Sequence, residues 1–138
     1  LQLAAATAAV ANNGFLIKPR VVKAITDKDG KIVSSIEPEI LNQNFVAANS
    51  LAIIRRAMGE TVISGSARSL ANLPGGAGGK TGTAQTGIGN NTHAWFTVFA
   101  PAENPKIVLT VFLEGGGGGS YVAAPIARKI LDKYFEEK

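Results

Sequence analysis

The last third of the chain constrains the fold most. Two runs rich in β-branched and aromatic residues, Thr92–Ala100 and Lys106–Leu113, are joined by Pro101-Ala102-Glu103-Asn104-Pro105. Turn-forming residues bounded by two prolines reverse the chain, so the two runs are expected to pair antiparallel. Ile107–Leu113 is nearly continuous in apolar residues, which predicts a strand covered on both faces. Lys80–Thr86 precedes them as a third strand. Beyond the glycines 115–119, apolar pairs at 126/127, 130/131 and 134/135 recur at helical spacing. They predict a helix from about Ala124 to Phe135, with Pro125 near its first turn and its apolar face on the sheet.

Upstream, Leu1–Ala11 is rich in alanine and leucine and stops at Asn12-Asn13-Gly14, the pattern of a helix with a left-handed stop. The helical pattern starts at the first residue without an N-cap, which suggests that the chain begins inside a larger unit. Ile17–Ile25 and Lys31–Ile36 look like strands flanking Thr26-Asp27-Lys28-Asp29-Gly30, a hairpin turn signal. Their lysines and arginine suggest an exposed ribbon, and Pro38 through Asn44 reads as a connector. From about Ala48 a helical pattern puts Leu51, Ile54, Ala57 and Met58 on one face, with Asn49 or Ser50 as cap and Gly59 as stop. Ser64-Gly65-Ser66 then breaks the chain before a short helical piece, Ala67–Ala71. The expected fold class is α+β, with helices packed on an antiparallel sheet.

Composition narrows the chemistry. The chain has 138 residues, 46% of them hydrophobic, which fits one domain with a packed core and argues against disorder. No apolar run approaches the roughly 18–20 residues that cross a bilayer, and no basic-then-apolar leader is visible. The absence of cysteine excludes disulfides, thiolate nucleophiles and cysteine-held zinc. A single histidine, His93, makes a histidine-rich metal site or a Ser-His-Asp triad very hard to build within this chain. Neither metal nor organic cofactor is expected. The net charge of +4 comes from scattered basic residues without interleaved aromatics, which gives no support for nucleic-acid binding.

The strongest local signal is Gly78-Gly79-Lys80-Thr81-Gly82-Thr83-Ala84-Gln85. One chemistry to weigh is a phosphate-binding loop. Counting back from Gly79-Lys80-Thr81, however, its first glycine falls on Pro74, and no helical pattern follows Thr83. The other is the Lys-Thr-Gly strand of serine acyl-transferases that act on penicillin-like and D-alanyl-D-alanine substrates. Regular alternation would put Lys80 with Gly82 on one face and Thr81 with Thr83 on the other. Glycine at 82 would let a substrate backbone lie against the strand edge, where a lysine and hydroxyls offer charge and hydrogen bonds to a carboxylate.

An ordered series of segments gives this tripeptide its context. Leu1-Gln2-Leu3-Ala4 leads into Ala11-Asn12-Asn13-Gly14 and Lys18-Pro19-Arg20-Val21-Val22. Gly79 through Gln85, His93-Ala94-Trp95-Phe96, Phe99-Ala100-Pro101, Glu103-Asn104-Pro105 and Ala123-Ala124-Pro125-Ile126-Ala127 follow. Over nearly its whole length the chain resembles the C-terminal part of the transpeptidase domain of class B penicillin-binding proteins, most closely the elongation-type penicillin-binding protein 2 group. The resemblance implies the C-terminal portion of the penicillin-binding-protein/serine β-lactamase-like transpeptidase fold, with residues 1–138 as one part of that domain. The family's Ser-x-x-Lys and Ser-x-Asn motifs are absent: no serine here has lysine three residues on or asparagine two residues on. In the family both lie upstream of the opening helix, so the nucleophile is expected outside these residues, and the fragment alone is expected to be inactive.

By the same resemblance, Lys80 matches the lysine that hydrogen-bonds the Ser-x-Asn serine and brings positive charge. Thr81 and Thr83 match the hydroxyls that hold the carboxylate of the stem peptide or of a β-lactam. The Thr83 backbone N–H matches one oxyanion-hole donor, and Gly82 permits close approach. The implied activity is cross-linking of peptidoglycan by acyl transfer from a D-Ala-D-Ala stem peptide, with β-lactams as inhibitors. The implied setting is the outer face of the cytoplasmic membrane or periplasm, with attachment only through an N-terminal anchor, beside a lipid-linked-glycan polymerase of the SEDS type. A non-catalytic relative kept for binding or scaffolding, or a P-loop nucleotide binder, are the alternatives. His93 reads as structural, Trp95, Phe96 and Phe99 mostly as core, Arg55 and Arg56 as a solvated face, and Gly115–Gly119 as a mobile loop.

Overall fold

The structure is a computed structural model that describes residues 1–44, 46–87 and 89–137. The first helix, α1, spans Gln2–Ala11 and ends where its sequence directs. Asn13 and Gly14 take φ of 66° and 95°, and the Gly14 amide returns to the Ala9 carbonyl at 2.7 Å. Such a left-handed reversal satisfies carbonyls that the helix end leaves open.

The expected strand Ile17–Ile25 is split in two, β1 at Leu16–Ile17 and β2 at Ala24–Thr26, because Pro19 has no N–H to give a ladder. β2 pairs antiparallel with β3, Ile32–Ser35, through the expected Asp-Gly turn. Asp27 Oδ1 accepts the Asp29 and Lys31 amides at 3.0 and 2.9 Å, and Gly30 takes φ of 81°. All four residues of β3 are exposed, as a ribbon would be. The stretch read as a connector holds a short strand, β4, Ile40–Asn42, which pairs with β1. A two-residue partner leaves too little alternation to announce itself.

Helix α2 runs from Ala48 to Ile63 and corrects four expectations. Neither Asn49 nor Ser50 caps it; Ala47 occupies that position with no side-chain hydrogen bond. Gly59 does not stop it, because the next turn brings Val62 into the core at 2% exposure, and the helix closes only at Ser64. The buried face carries Leu51 and Val62, while Ile54 and Ala57 are exposed. Arg55 is not a solvated cation. Its Nη1 donates to Asn13 Oδ1 at 2.9 Å, its Nη2 donates to the carbonyls of Ala102 and Glu103, and the guanidinium lies 5.8 Å from the centre of the Phe99 ring. The piece expected at Ala67–Ala71 is a single 3-10 turn, Arg68–Leu70.

Three strands form the main sheet: β5, Gly78–Gln85; β6, Thr92–Ala100; and β7, Ile107–Leu113. They are antiparallel in the order β5-β6-β7, with unbroken registers that set Lys80 opposite Thr97 and Trp95 opposite Phe112. A π-helical turn, Gly119–Ala123, leads into α3, Ala124–Glu136. On one sheet face Ala94, Phe96 and Val98 meet Ala124, Ala127 and Leu131 of α3, with Val62, Leu70 and Leu73 closing the cluster. On the other face lies α1, where Thr7 Oγ1 stands 2.8 Å from Thr97 Oγ1, itself 3.0 Å from Thr110 Oγ1. The helices-on-sheet architecture is therefore the one the periodicities imply. β7 is less covered than its apolar run suggests: it is half-buried as an outer strand, and Phe112 is 47% exposed. Among the described residues no helix is long and apolar enough to cross a membrane.

The glycine run after β7 is held at several points. The Gly115 amide donates to His93 Nδ1 at 3.1 Å, the Gly117 amide to the Thr92 carbonyl at 3.0 Å, and Thr92 Oγ1 to the Gly117 carbonyl at 3.0 Å. Gly119 is pressed against the β5–β6 backbone: a Cβ there would lie 2.3 Å from Trp95 O and 2.4 Å from Gly82 O. What reads as a loose loop is a lacing between the last helix and the edge of the sheet.

Two glycines predict opposite signs. Gly119→Ala is expected to destabilise the protein by more than about 2 kcal/mol, since rigid backbone must move. Gly59→Ala, with nothing within 4 Å of its Cβ position, is expected to stabilise it by about 0.5–1 kcal/mol through helix propensity. Thermal or denaturant unfolding of each variant measures both. As a separate polypeptide, residues 1–138 are expected to self-associate, because β7 has no outer partner among the described residues and Leu1, Leu3 and Phe112 are exposed. Light scattering that returned a monomer would contradict this.

Candidate functional site

The site is built on β5 by what faces it from β6. A Cβ at Gly78 would lie 2.3 Å from Phe99 Cζ, and one at Gly79 would lie 2.7 Å from Phe96 Cζ. The two rings fill the space that side chains on the first half of β5 would need, so the backbone there lies directly on the core. Beyond the two buried glycines, Lys80 is exposed, Thr81 and Gly82 are half-buried, and Thr83 is exposed.

Register fixes their sides. Lys80 and Gly82 oppose Thr97 and Trp95, whereas Thr81 and Thr83 oppose Phe96 and Ala94. The pairing runs without a bulge from Gly78 to Gln85, so the regular alternation expected from sequence is the one observed. Lys80 is exposed, and its Nζ donates to the Thr81 carbonyl at 2.7 Å. At Gly82 a Cβ would come within 3.2 Å of Trp95 Cβ, so the absent side chain leaves the indole next to the strand backbone.

Both hydroxyls have a partner that sequence reasoning did not identify. Thr81 Oγ1 lies 2.7 Å from Ser66 Oγ, and the Gly119 amide donates to Thr83 Oγ1 at 3.4 Å. Ser66 reads in sequence only as part of a chain break, and nothing in its neighbours points to β5. The glycine run is conspicuous in sequence, but its contact with Thr83 depends on how α3 returns across the sheet. Chemically the strand offers an ammonium group, two hydroxyls on the opposite side, and a gap at Gly82. A threonine hydroxyl that accepts from a backbone amide still has its own proton to give to an anion.

Other residues fall into structural roles. His93 Nδ1 is occupied by the Gly115 amide, and the ring sits 5.3 Å from that of Phe112. Phe96 and Phe99 are buried core, while Trp95 is half-buried and tilted on Phe112 at 4.2 Å. A phosphate loop is not formed: Gly79-Lys80-Thr81 lies inside a paired strand, and among the described residues no helix follows Thr83 before the π-helical turn at Gly119–Ala123. Among the described residues, no three His, Cys, Asp or Glu side chains gather where they could hold a metal ion.

Comparison with known proteins shows which family the chain is similar to. The penicillin binding protein transpeptidase domain family matches residues 1–132. The chain is 38% identical to the peptidoglycan D,D-transpeptidase MrdA of Haemophilus influenzae, over 100% of this chain and 24% of that protein. The D,D-transpeptidase domain of a peptidoglycan glycosyltransferase from Eggerthella lenta superposes with a TM-score of 0.85 at 28% identity, covering 98% of this chain and 31% of that one. Penicillin-binding protein A of M. tuberculosis, solved as a penicillin G acyl-enzyme complex, gives a TM-score of 0.78 at 26% identity, covering 96% of this chain and 31% of that one. The chain thus spans about a quarter of the length of the curated relative it matches and about a third of these structures. With the family match running through α1, the Lys80–Thr83 strand and most of α3, the chain belongs to the penicillin-binding protein transpeptidase family.

Proposed function

We propose that these residues supply the Lys-Thr-Gly side of a peptidoglycan D,D-transpeptidase active site, as the C-terminal portion of a transpeptidase domain whose serine nucleophile lies in another segment. The observation that carries this reading is the single strand that presents Lys80, the Gly82 gap, Thr81 and Thr83 in an unbroken register, within a chain of this family.

In the proposed reaction, the serine oxygen attacks the carbonyl carbon of the penultimate D-alanine of a stem peptide. The amide C–N bond breaks, and the terminal D-alanine leaves with a proton. An acceptor amine then attacks the ester, forms the cross-link and returns the serine hydroxyl. Lys80 holds positive charge beside the serines of the site. The Thr83 amide is one oxyanion donor, a group of a kind worth about 3–4 kcal/mol of barrier. The hydroxyls of Thr81 and Thr83 hold the terminal carboxylate, and Gly82 lets the peptide lie close to the strand. β-Lactams acylate the same serine and present their carboxylate to the same hydroxyls. The relatives' names support peptidoglycan as substrate and penicillin as ligand. They also fit work in the cell envelope, at the outer face of the cytoplasmic membrane or in the periplasm, for which we propose a SEDS-type glycan polymerase as partner.

The test uses the full-length protein that carries this chain. Lys80→Ala is expected to slow labelling by a fluorescent penicillin by at least about a hundredfold, the scale of losing one charged hydrogen-bonding group from an acyl-transfer site. Thr83→Val is expected to slow it about ten- to a hundredfold through a lost hydrogen bond to a charged ligand. Circular dichroism and thermal unfolding should stay near wild type. Undiminished labelling of a folded Lys80→Ala protein would refute the assignment.

A further inference from the structure

We infer that Ser66 is a positioning residue for anion recognition: it holds the Thr81 hydroxyl so that its proton faces the ligand's carboxylate. This rests on the reading of Thr81 as a carboxylate-binding group. The two oxygens are 2.7 Å apart, the preferred length of a hydroxyl–hydroxyl hydrogen bond, and they come from residues fifteen positions apart.

Ser66 is presented by a tightly determined turn. Helix α2 closes with the amides of Ser64 and Gly65 both donating to the Glu60 carbonyl at 3.0 Å, and the Ala67 amide donates to the Thr61 carbonyl at 3.0 Å. A Cβ at position 65 would lie 2.9 Å from Thr61 Cα and 3.0 Å from Thr61 O, so the turn has room only for glycine there. Val62 and Ala67, on either side of it, are 2% and 0% exposed and anchor the turn in the core. On so fixed a backbone the serine hydroxyl can reach only a few places, and in the observed rotamer it meets Thr81.

A hydroxyl has one proton and two lone pairs. When Ser66 donates to Thr81 Oγ1, the Thr81 proton turns outward, and an anion in front of the strand selects this sense of the pair. The Ser66 bond also polarises the Thr81 O–H and strengthens its donation. It confines the few rotamers that a β-branched side chain allows. Thr83 has a similar backing from the Gly119 amide, but at 3.4 Å, so Thr81 is the better-held of the two.

The experiment measures the second-order acylation constant of the full-length protein with benzylpenicillin and with its methyl ester, which lacks the carboxylate. Ser66→Ala is expected to lower the constant for benzylpenicillin about three- to tenfold, the scale of one lost neutral hydrogen bond, and to leave the ester's constant unchanged. Ser66→Thr, which keeps a hydroxyl, should recover most of the loss. In a Thr81→Ala background, Ser66→Ala should cost nothing further, because the residue acts only through Thr81. An unchanged constant in Ser66→Ala, equal losses for acid and ester, or a full additional loss in the Thr81→Ala background would each overturn the inference. Lys80→Ala is measured alongside. If it abolishes labelling while Ser66→Ala does nothing, the role of Ser66 alone falls; if it labels normally, the underlying site assignment falls as well.

Discussion

Two phenylalanine rings of the central strand lie where side chains on its neighbour would have to be. Phe96 and Phe99 reach across to Gly79 and Gly78, and the rest of the site follows from that contact. Because β5 begins without side chains, its backbone sits on the aromatic core. The outward path of the strand is therefore set before Lys80 is reached. A close-packed interior transmits small displacements. A shift of either ring would move the base of the strand, and with it the ammonium and hydroxyl groups further along.

Two further contacts hold the strand from outside the sheet. The turn after α2 meets Thr81, and the π-helical turn before α3 meets Gly82 and Thr83. Each turn is itself fixed by a glycine in close contact with backbone atoms, Gly65 against Thr61 and Gly119 against Trp95 and Gly82. The strand that carries the chemistry is thus gripped by elements from well before and well after it in the chain. This is the preorganisation that a site for a charged ligand requires, since donors already in place need no rearrangement when the ligand arrives.

What the sequence made legible was what local chemistry decides. The α1 stop at Asn13-Gly14, the Asp27–Gly30 hairpin, the three sheet strands and α3 each carry a period or a turn signal that little else can satisfy. The order of Lys80 to Thr83 along one strand was legible for the same reason. What was not legible depended on distant partners. Gly59 looks like a helix stop until Val62 finds the core one turn later. Arg55 looks solvated until Asn13 and the Ala102–Glu103 corner arrive beside it. Ser66 carries no motif, and β7 reads as doubly covered because its composition cannot say whether a neighbour is present on its outer side.

Arg55 adds a polar tie between parts of the fold that otherwise meet through packing and the Thr7–Thr97 hydrogen bond. One guanidinium holds the end of α1, the corner between β6 and β7 and the face of a core ring, all from the second turn of α2. Proteins open locally in cooperative units, and such units are drawn wherever tertiary contacts tie segments to one another. Opening any one of the helix end, the strand corner or α2 away from the others must break bonds to this one side chain. Local opening at the strand corner is therefore coupled to the end of α1 and to α2, a coupling that backbone hydrogen bonds among the described residues do not provide.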